Sequence, residues 1–159
     1  MIFPYKNVLV VCSVNTARSP MTVGFLKEKF LKNRNNIVIN SGGIASNARD
    51  GMLISIDAML AMEEVGIELP KDSRSINLKQ HPHLIENADL ILTLTEKHKD
   101  ELNKFIGKDH KSIFSLKEFA GENGDIEDPS MKGIEGFRKA RDEIYRVLIK
   151  AMKKYGIKS

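Results

Sequence analysis

The stretch Val8–Pro20, VLVVCSVNTARSP, decides how this chain begins to fold. Its first four residues are apolar, and the fifth is Cys12, the only cysteine of the chain. Five residues then separate Cys12 from Arg18, after which Ser19, Pro20 and a long amphipathic segment follow. An apolar run, a short polar loop and a proline that suits the first turn of a helix predict a strand, a loop and a helix. The loop therefore has a nucleophile at one end and a guanidinium at the other.

A loop of this kind can bind an anion. Its backbone N–H groups can converge on one point beside the positive end of the helix dipole. Arg18 can hold two oxygens of the anion with its planar fork, and the same field favours the thiolate of Cys12. Ser19 can donate a hydrogen bond to the sulfur. The pattern predicts attack of Cys12 on phosphorus, giving a phosphocysteine that water hydrolyses. The predicted phosphate-binding residues are Ser13, Val14, Asn15, Thr16, Ala17, Arg18 and Ser19.

A lone cysteine at the end of a buried strand is more often a packed small hydrophobe than a nucleophile. The cysteine by itself therefore favours a structural role. Its spacing from Arg18, between a strand and a helix, reverses that interpretation and favours catalysis.

Length and composition limit the class of protein. A chain of 159 residues is long enough for one domain with a full core, which we expect to span residues 1–159. No apolar run approaches the ~20 residues that cross a bilayer, and the first residues lack the pattern of a signal peptide. One cysteine cannot form an intramolecular disulfide, which predicts a cytoplasmic protein. A net charge of +4 is only mildly basic, so we expect neither a nucleic-acid nor a membrane partner.

Strand and helix patterns alternate along the chain, which predicts an α/β fold. We expect a single three-layer domain with a four-stranded parallel sheet, helices on both faces and the phosphate-binding loop after the first strand. Right-handed crossovers then bring the loops that follow the strands to the edge that carries Cys12. The predicted strands are Asn7–Cys12, Ile37–Asn40, Leu90–Leu94 and Ser112–Leu116. The predicted helices are Ser19–Lys32, Leu53–Val65, Glu96–Phe105 and Gly133–Tyr155, with a short helical turn at His83–Asn87.

A phosphocysteine mechanism also needs a general acid for the leaving group, in a loop at the same edge of the sheet. Asp125, Glu127 and Asp128 follow the fourth predicted strand. Asp128 is the favoured acid because Pro129 stiffens the loop and limits where the carboxyl group points. A bound phosphate anion would also help that carboxyl group to keep its proton. Asp-Pro is a common way to open a turn, so Asp125 and Glu127 stay open as alternatives.

At this point the chain resembles the low-molecular-weight protein tyrosine phosphatases. The resemblance rests on C-x5-R-S-P after the first strand and a late D-P, with support from Ser41-Gly42-Gly43 and the stretch Ala88–Thr93. It implies a protein phosphatase that hydrolyses phosphotyrosine-type monoesters, inhibited by phosphate-like anions and requiring no metal or organic cofactor. It also implies catalytic roles for Cys12, Arg18 and Asp128, and support of the loop by Asn15, Ser19 and Ser41.

Two departures from the family pattern concern the loop. The family usually has glycine where this chain has Val14, and a β-branched residue tolerates a positive φ poorly. Either Val14 is not left-handed or the loop is strained. Many members carry a second cysteine where this chain has Ala17, so no protective disulfide with Cys12 is possible here.

Two further departures concern the substrate. Tyrosine-specific members line the pocket with aromatic residues, but this chain has Ser130-Met131 and Asn47-Ala48-Arg49 at those places and no tryptophan. Thr16 replaces an apolar residue, and a threonine there resembles the protein arginine phosphatase branch of the family, as does the stretch 114–119, FSLKEF. Phosphoarginine is therefore an alternative substrate class.

The sequence allows three other interpretations to be compared with this one. An arsenate reductase of the same fold passes electrons through further cysteines, which this chain lacks. A phosphate-binding module without turnover would fit a loop distorted by Val14, although the joint presence of Cys12, Arg18 and Asp128 favours an enzyme. His81 and His83 flank Pro82 without an evident carboxylate or thiol companion, so we interpret them as surface histidines and not as a metal site.

Overall fold

The computed structural model describes residues 2–34, 36–107 and 112–159. The strands are β1 (Asn7–Cys12), β2 (Val38–Gly43), β3 (Leu90–Thr93) and β4 (Ile113–Ser115). The helices are α1 (Arg18–Phe25), α2 (Ile56–Glu63), α3 (Pro82–Asn87), α4 (Glu96–Ile106), α5 (Leu116–Phe119) and α6 (Gly133–Lys153). A π-helical turn, Leu26–Phe30, extends α1, and a 3₁₀ turn, Leu78–Gln80, precedes α3.

The four strands form one parallel sheet in the order β2-β1-β3-β4. Strand β1 is central and almost wholly apolar, as expected of a parallel strand that is covered on both faces. The predicted parallel sheet is therefore confirmed. Cys12 is the last residue of β1, at the edge of the sheet where the other strands also end.

Helices cover both faces of the sheet, as predicted. Alternate side chains of β1 point to opposite layers because successive residues of a strand face opposite ways. Val8, Val10 and Cys12 pack in a core with residues of α1, α2, α5 and α6. Leu9 and Val11 pack in a second core with residues of α3 and α4. Within the described residues no helix is both long and apolar enough to cross a membrane.

Several boundaries differ from the prediction. Strand β2 starts one residue later, at Val38, and continues to Gly43 because its ladder with β1 extends to the pair Cys12 and Gly43. Helix α2 starts at Ile56, three residues later than predicted, because the Ser55 side chain accepts the Ala58 N–H and caps it. Helix α6 ends at Lys153.

The prediction missed α5, a single turn that directly follows β4. The Ser115 side chain accepts the Glu118 N–H at 3.1 Å, and the Glu118 carboxylate accepts the Ser115 N–H at 2.8 Å. This reciprocal capping starts a helix at Leu116, which the predicted strand Ser112–Leu116 had included.

Candidate active site

The loop between β1 and α1 lies against the end of β2. Its carbonyl groups accept hydrogen bonds from the chain just after β2, from Ile44 N–H to Cys12 at 3.1 Å and from Ala45 N–H to Ser13 at 3.0 Å. A Cβ atom at Gly43 would lie 2.6 Å from the Ser13 carbonyl oxygen and 2.9 Å from Val14 Cα. Only a residue without a side chain allows this close approach.

The Cys12 sulfur receives two hydrogen bonds. It lies 2.9 Å from Ser19 Oγ and accepts the Asn15 N–H at 3.2 Å. Since Asn15 Nδ2 donates to Ser19 Oγ at 2.8 Å, the Ser19 hydroxyl proton is left to point at the sulfur. An N–H and an O–H group therefore point at the sulfur that the sequence predicts as the nucleophile.

Asn15 holds the loop in shape. Its φ is +65°, in the left-handed region that asparagine tolerates better than most residues. Its Nδ2 also donates to Ser41 Oγ at 2.9 Å, and its Oδ1 accepts the Ile76 N–H at 3.0 Å. Among the described non-glycine residues, positive φ angles occur only at Asn15 and Met131, so Val14 is not left-handed. The strain that the sequence allowed at Val14 is absent.

Arg18 is buried at the start of α1 and faces the loop before α6. Its Nη1 donates to the Ile126 carbonyl at 2.8 Å, and its Nη2 lies 4.0 Å from Asp128 Oδ2. The bond to Ile126 fixes the position of the guanidinium, and its remaining N–H groups can donate to the oxygens of an anion.

The three candidate acids have different surroundings. Asp125 accepts the Glu96 N–H at 2.9 Å and so caps the first turn of α4. Glu127 forms ion pairs with Lys132 and Lys139. Of the three, only Asp128 makes a contact with Arg18.

Asp128 is half exposed, and its Oδ1 accepts the Ser130 N–H at 2.9 Å. Burial by itself raises the pKa of Asp128, but hydrogen bonds from Ser130 and the charge of Arg18 lower it below its usual value. The pKa of Asp128 is lowered in this way when no anion is bound in the loop. A phosphate dianion in the loop acts in the opposite direction, because a nearby negative charge favours the protonated carboxyl.

Sequence reasoning missed His98, which lies in the first turn of α4. Its side chain is 2% exposed, and its Nε2 lies 2.8 Å from Ser13 Oγ. Burial and then the charge of Arg18 lower the pKa of His98 to about 4. The only signal in the sequence is the N-cap Thr95, whose Oγ1 accepts the His98 N–H at 3.1 Å and so fixes where α4 begins.

The mouth of the loop carries no aromatic ring among the described residues. The chain has seven phenylalanines and three tyrosines. Nine of these ten rings pack in or against the core that contains α1 and α6, and the tenth, Phe105, lies near the far end of α4. Met131, two residues after Pro129, is fully exposed. The carbonyl of Thr16 accepts the Ser55 N–H at 2.9 Å, which joins the loop to the start of α2.

The paired histidines contact each other, and His81 also contacts Asp50. His81 Nε2 lies 2.9 Å from Asp50 Oδ2, so His81 has the carboxylate companion that the sequence did not reveal. The His81 and His83 rings meet edge to face at 5.9 Å.

The sequence of this chain is similar to those of known proteins. The family model described as low molecular weight phosphotyrosine protein phosphatase matches residues 7–158. A protein-arginine-phosphatase from Geobacillus stearothermophilus is 36% identical over 142 residues, which are 89% of each chain. The low molecular weight protein-tyrosine-phosphatase PtpB from Staphylococcus haemolyticus is 31% identical and covers 87% of this chain and 91% of its own.

Solved structures agree with this relationship. A YwlE arginine phosphatase mutant with a phosphorylated active-site serine has a TM-score of 0.81 at 29% identity, covering 94% of this chain and 95% of that one. The family that the sequence motifs predicted is therefore confirmed: the chain belongs to the low molecular weight phosphotyrosine protein phosphatases.

Proposed function

We propose that this protein is a cysteine-dependent phosphatase that removes phosphoryl groups from protein side chains through a phosphocysteine at Cys12. The observation that carries the proposal is the convergence of a sulfur with two hydrogen-bond donors, a buried guanidinium and a carboxyl group at one loop. A phosphoryl group needs these parts together, because its transfer depends on a nucleophile, charge stabilisation and a proton for the leaving group.

In the first step the Cys12 thiolate attacks phosphorus and the bond from phosphorus to the leaving atom breaks. Arg18 and the loop N–H groups stabilise the charge on the three remaining phosphoryl oxygens. Protonated Asp128 donates its proton to the leaving atom.

In the second step water attacks the phosphocysteine. The Asp128 carboxylate takes a proton from that water, the bond from sulfur to phosphorus breaks, and inorganic phosphate leaves. Ser19 donates to the sulfur and so stabilises the thiolate that departs. Phosphate and vanadate should bind the same loop and inhibit competitively.

The substrate is a phosphorylated protein, with a phosphotyrosine-type monoester as the first candidate, since the family model is of that kind. A second candidate, phosphoarginine, is favoured by the mouth of the loop. Stacking on a phosphotyrosine ring is worth about 1 kcal/mol per contact. Among the described residues no aromatic ring lies at this mouth, and the hydroxyl of Thr16 can accept a hydrogen bond from a guanidino group.

A paired hydrolysis assay tests the proposal. One phosphotyrosine peptide and one phosphoarginine peptide of the same sequence are given to the wild type, Cys12→Ser and Thr16→Ile. Turnover of either peptide above the Cys12→Ser background supports the phosphatase, and the faster peptide names the substrate class. A phosphoarginine rate that falls selectively in Thr16→Ile supports the second candidate. A wild type no faster than Cys12→Ser on both peptides overturns the proposed function.

A further inference from the structure

The His98 ring touches the phosphate loop although the proposed chemistry does not use it. It packs beneath Ser13, the residue after the nucleophile, with 2.8 Å between its Nε2 and Ser13 Oγ. Its other nitrogen, Nδ1, is buried and has no hydrogen-bond partner among the described residues. A buried polar atom without a partner costs stability, so the arrangement needs a reason.

The unpartnered nitrogen indicates which tautomer the ring adopts. A neutral imidazole carries one N–H. With the proton on Nδ1, a buried donor would lack an acceptor, a situation that folded proteins largely avoid. With the proton on Nε2, the ring donates to Ser13 Oγ, and only a lone pair is left without a partner.

The surroundings keep the ring neutral. Burial has the largest effect on the pKa of His98, and the charges of Arg18 and Lys97 lower it further, whereas Asp125 and Asp128 act in the opposite direction. The resulting pKa of about 4 leaves one fixed N–H donor at neutral pH.

His98 also belongs to a turn that touches both halves of the site. The same first turn of α4 contains Glu96, whose N–H is capped by Asp125 of the acid loop. The turn thus connects the start of the phosphate loop to the segment that carries Asp128.

We propose that His98 is a positioning residue: its Nε2–H donates to the Ser13 hydroxyl and holds the start of the phosphate loop in the shape that receives a phosphoryl group. The inference rests on the proposed function, because receiving a phosphoryl group is the work assigned to this loop. No atom of His98 takes part in the bond-making steps.

The test uses four variants of the His98 and Ser13 pair, one control variant and two assays. His98→Gln keeps an N–H near the position of Nε2, whereas His98→Leu removes it at similar volume. Ser13→Ala removes the acceptor, and His98→Leu with Ser13→Ala removes both. His83→Leu makes the same change at an exposed histidine on α3 and is the matched control. The readouts are kcat and KM for para-nitrophenyl phosphate, and the Kd of inorganic phosphate by titration calorimetry.

We expect His98→Leu to lower kcat about tenfold and to weaken phosphate binding several-fold, the loss typical of one oriented hydrogen bond. His98→Gln should stay within about threefold of the wild type. Ser13→Ala should reproduce the loss, and the double variant should lose no more than either single variant. His83→Leu should match the wild type.

The inference is overturned if His98→Leu binds phosphate and turns over substrate like the wild type, or if His98→Gln is as impaired as His98→Leu. Additive losses in the double variant would also overturn it, because His98 would then act other than through Ser13. If the wild type shows no turnover but phosphate affinity follows the expected pattern, the positioning role stands and the proposed phosphatase function fails.

Discussion

At the scale of single residues, Asn15 shapes the loop more than any charged group does. It combines a left-handed backbone with side-chain hydrogen bonds to Ser19, Ser41 and Ile76. Asn15 and Ser19 are both almost fully buried, so without the Asn15 side chain at least Ser19 would lose its bond without gaining water.

Two substitutions separate the backbone effect from the side-chain effect. Asn15→Ala should destabilise the protein by about 2 to 3 kcal/mol, since it removes buried hydrogen bonds and also disfavours the positive φ. Asn15→Gly loses the same bonds but accepts the backbone, so we expect it to be about 1 kcal/mol more stable than Asn15→Ala. Urea unfolding midpoints measure the difference. An alanine variant as stable as the glycine variant would contradict the role of the left-handed backbone.

His98 makes stability depend on pH. Its pKa is about 4 in the folded protein and 6.5 as the ordinary value, so between these values the unfolded chain binds the extra proton. Stability should therefore be full above pH 6.5 and fall as the pH drops toward 4. The loss is at most ~3 kcal/mol and smaller where water reaches the ring. Urea unfolding of the wild type and His98→Gln across this range isolates the effect. If the free energy of unfolding depends on pH in the same way in the wild type and in His98→Gln, the predicted effect of His98 is refuted.

At the scale of elements, the end of β2 sets how closely the phosphate loop can approach. Gly43 faces the backbone of Ser13 and Val14, whereas the neighbouring Gly42 faces the side chain of Leu78 in the second core. Neither position has room for a Cβ atom. At Gly43 the obstacle is the backbone of the phosphate loop, and at Gly42 it is a side chain of the core.

Alanine at each glycine should separate these roles. Gly43→Ala should displace the loop and lower kcat/KM for para-nitrophenyl phosphate by at least about tenfold, because a misplaced group at a reacting centre is costly. Gly42→Ala should cost about 1 to 3 kcal/mol of stability by overpacking, with activity largely kept. Steady-state kinetics and thermal unfolding of both variants check this. Equal activity losses at the two positions would show that Gly43 has no special relation to the loop.

At the scale of the whole molecule, the site is assembled from segments far apart in the chain. Cys12, the proposed nucleophile, is the last residue of β1, whereas Asp128, the proposed acid, lies between α5 and α6. Arg18 bonds the Ile126 carbonyl, Ile126 N–H bonds the Leu94 carbonyl at 3.0 Å, and Asp125 caps α4. These contacts place Asp128 opposite the phosphate loop.

Asp125 should therefore affect catalysis through Asp128. Asp125→Ala removes the acceptor of the Glu96 N–H and should lower kcat about tenfold, whereas Asp125→Asn keeps an oxygen there and should be far milder. Because the defect concerns the general acid, the loss should grow with the basicity of the leaving group. A series of aryl phosphates measures that slope. A loss independent of the leaving group would mean that Asp125 acts elsewhere.

Patterns of neighbouring residues predicted the sheet and most helices, because these elements depend on interactions between residues that are close in sequence. The apolar run before Cys12, its spacing from Arg18 and the alternation of strand and helix depend on neighbouring residues, and they led to the family and the parallel sheet. The end of β2 and the turn α5 were missed, since the first depends on pairing with β1 and the second on a capping bond between Ser115 and Glu118.

The available chemistry follows from the sequence alone: a lone thiol, an arginine six residues beyond it and an acid before a proline. Which residues shape the site depends on contacts between distant segments of the folded chain. In the folded protein the positive φ occurs at Asn15, and Asp128, not Glu127, lies beside Arg18. The His98 ring contacts Ser13. The physical reason is that these relations act through space, across segments separated by as many as 110 residues between Arg18 and Asp128. The periodic pattern of apolar residues along the chain carries no information about contacts between residues so far apart in sequence.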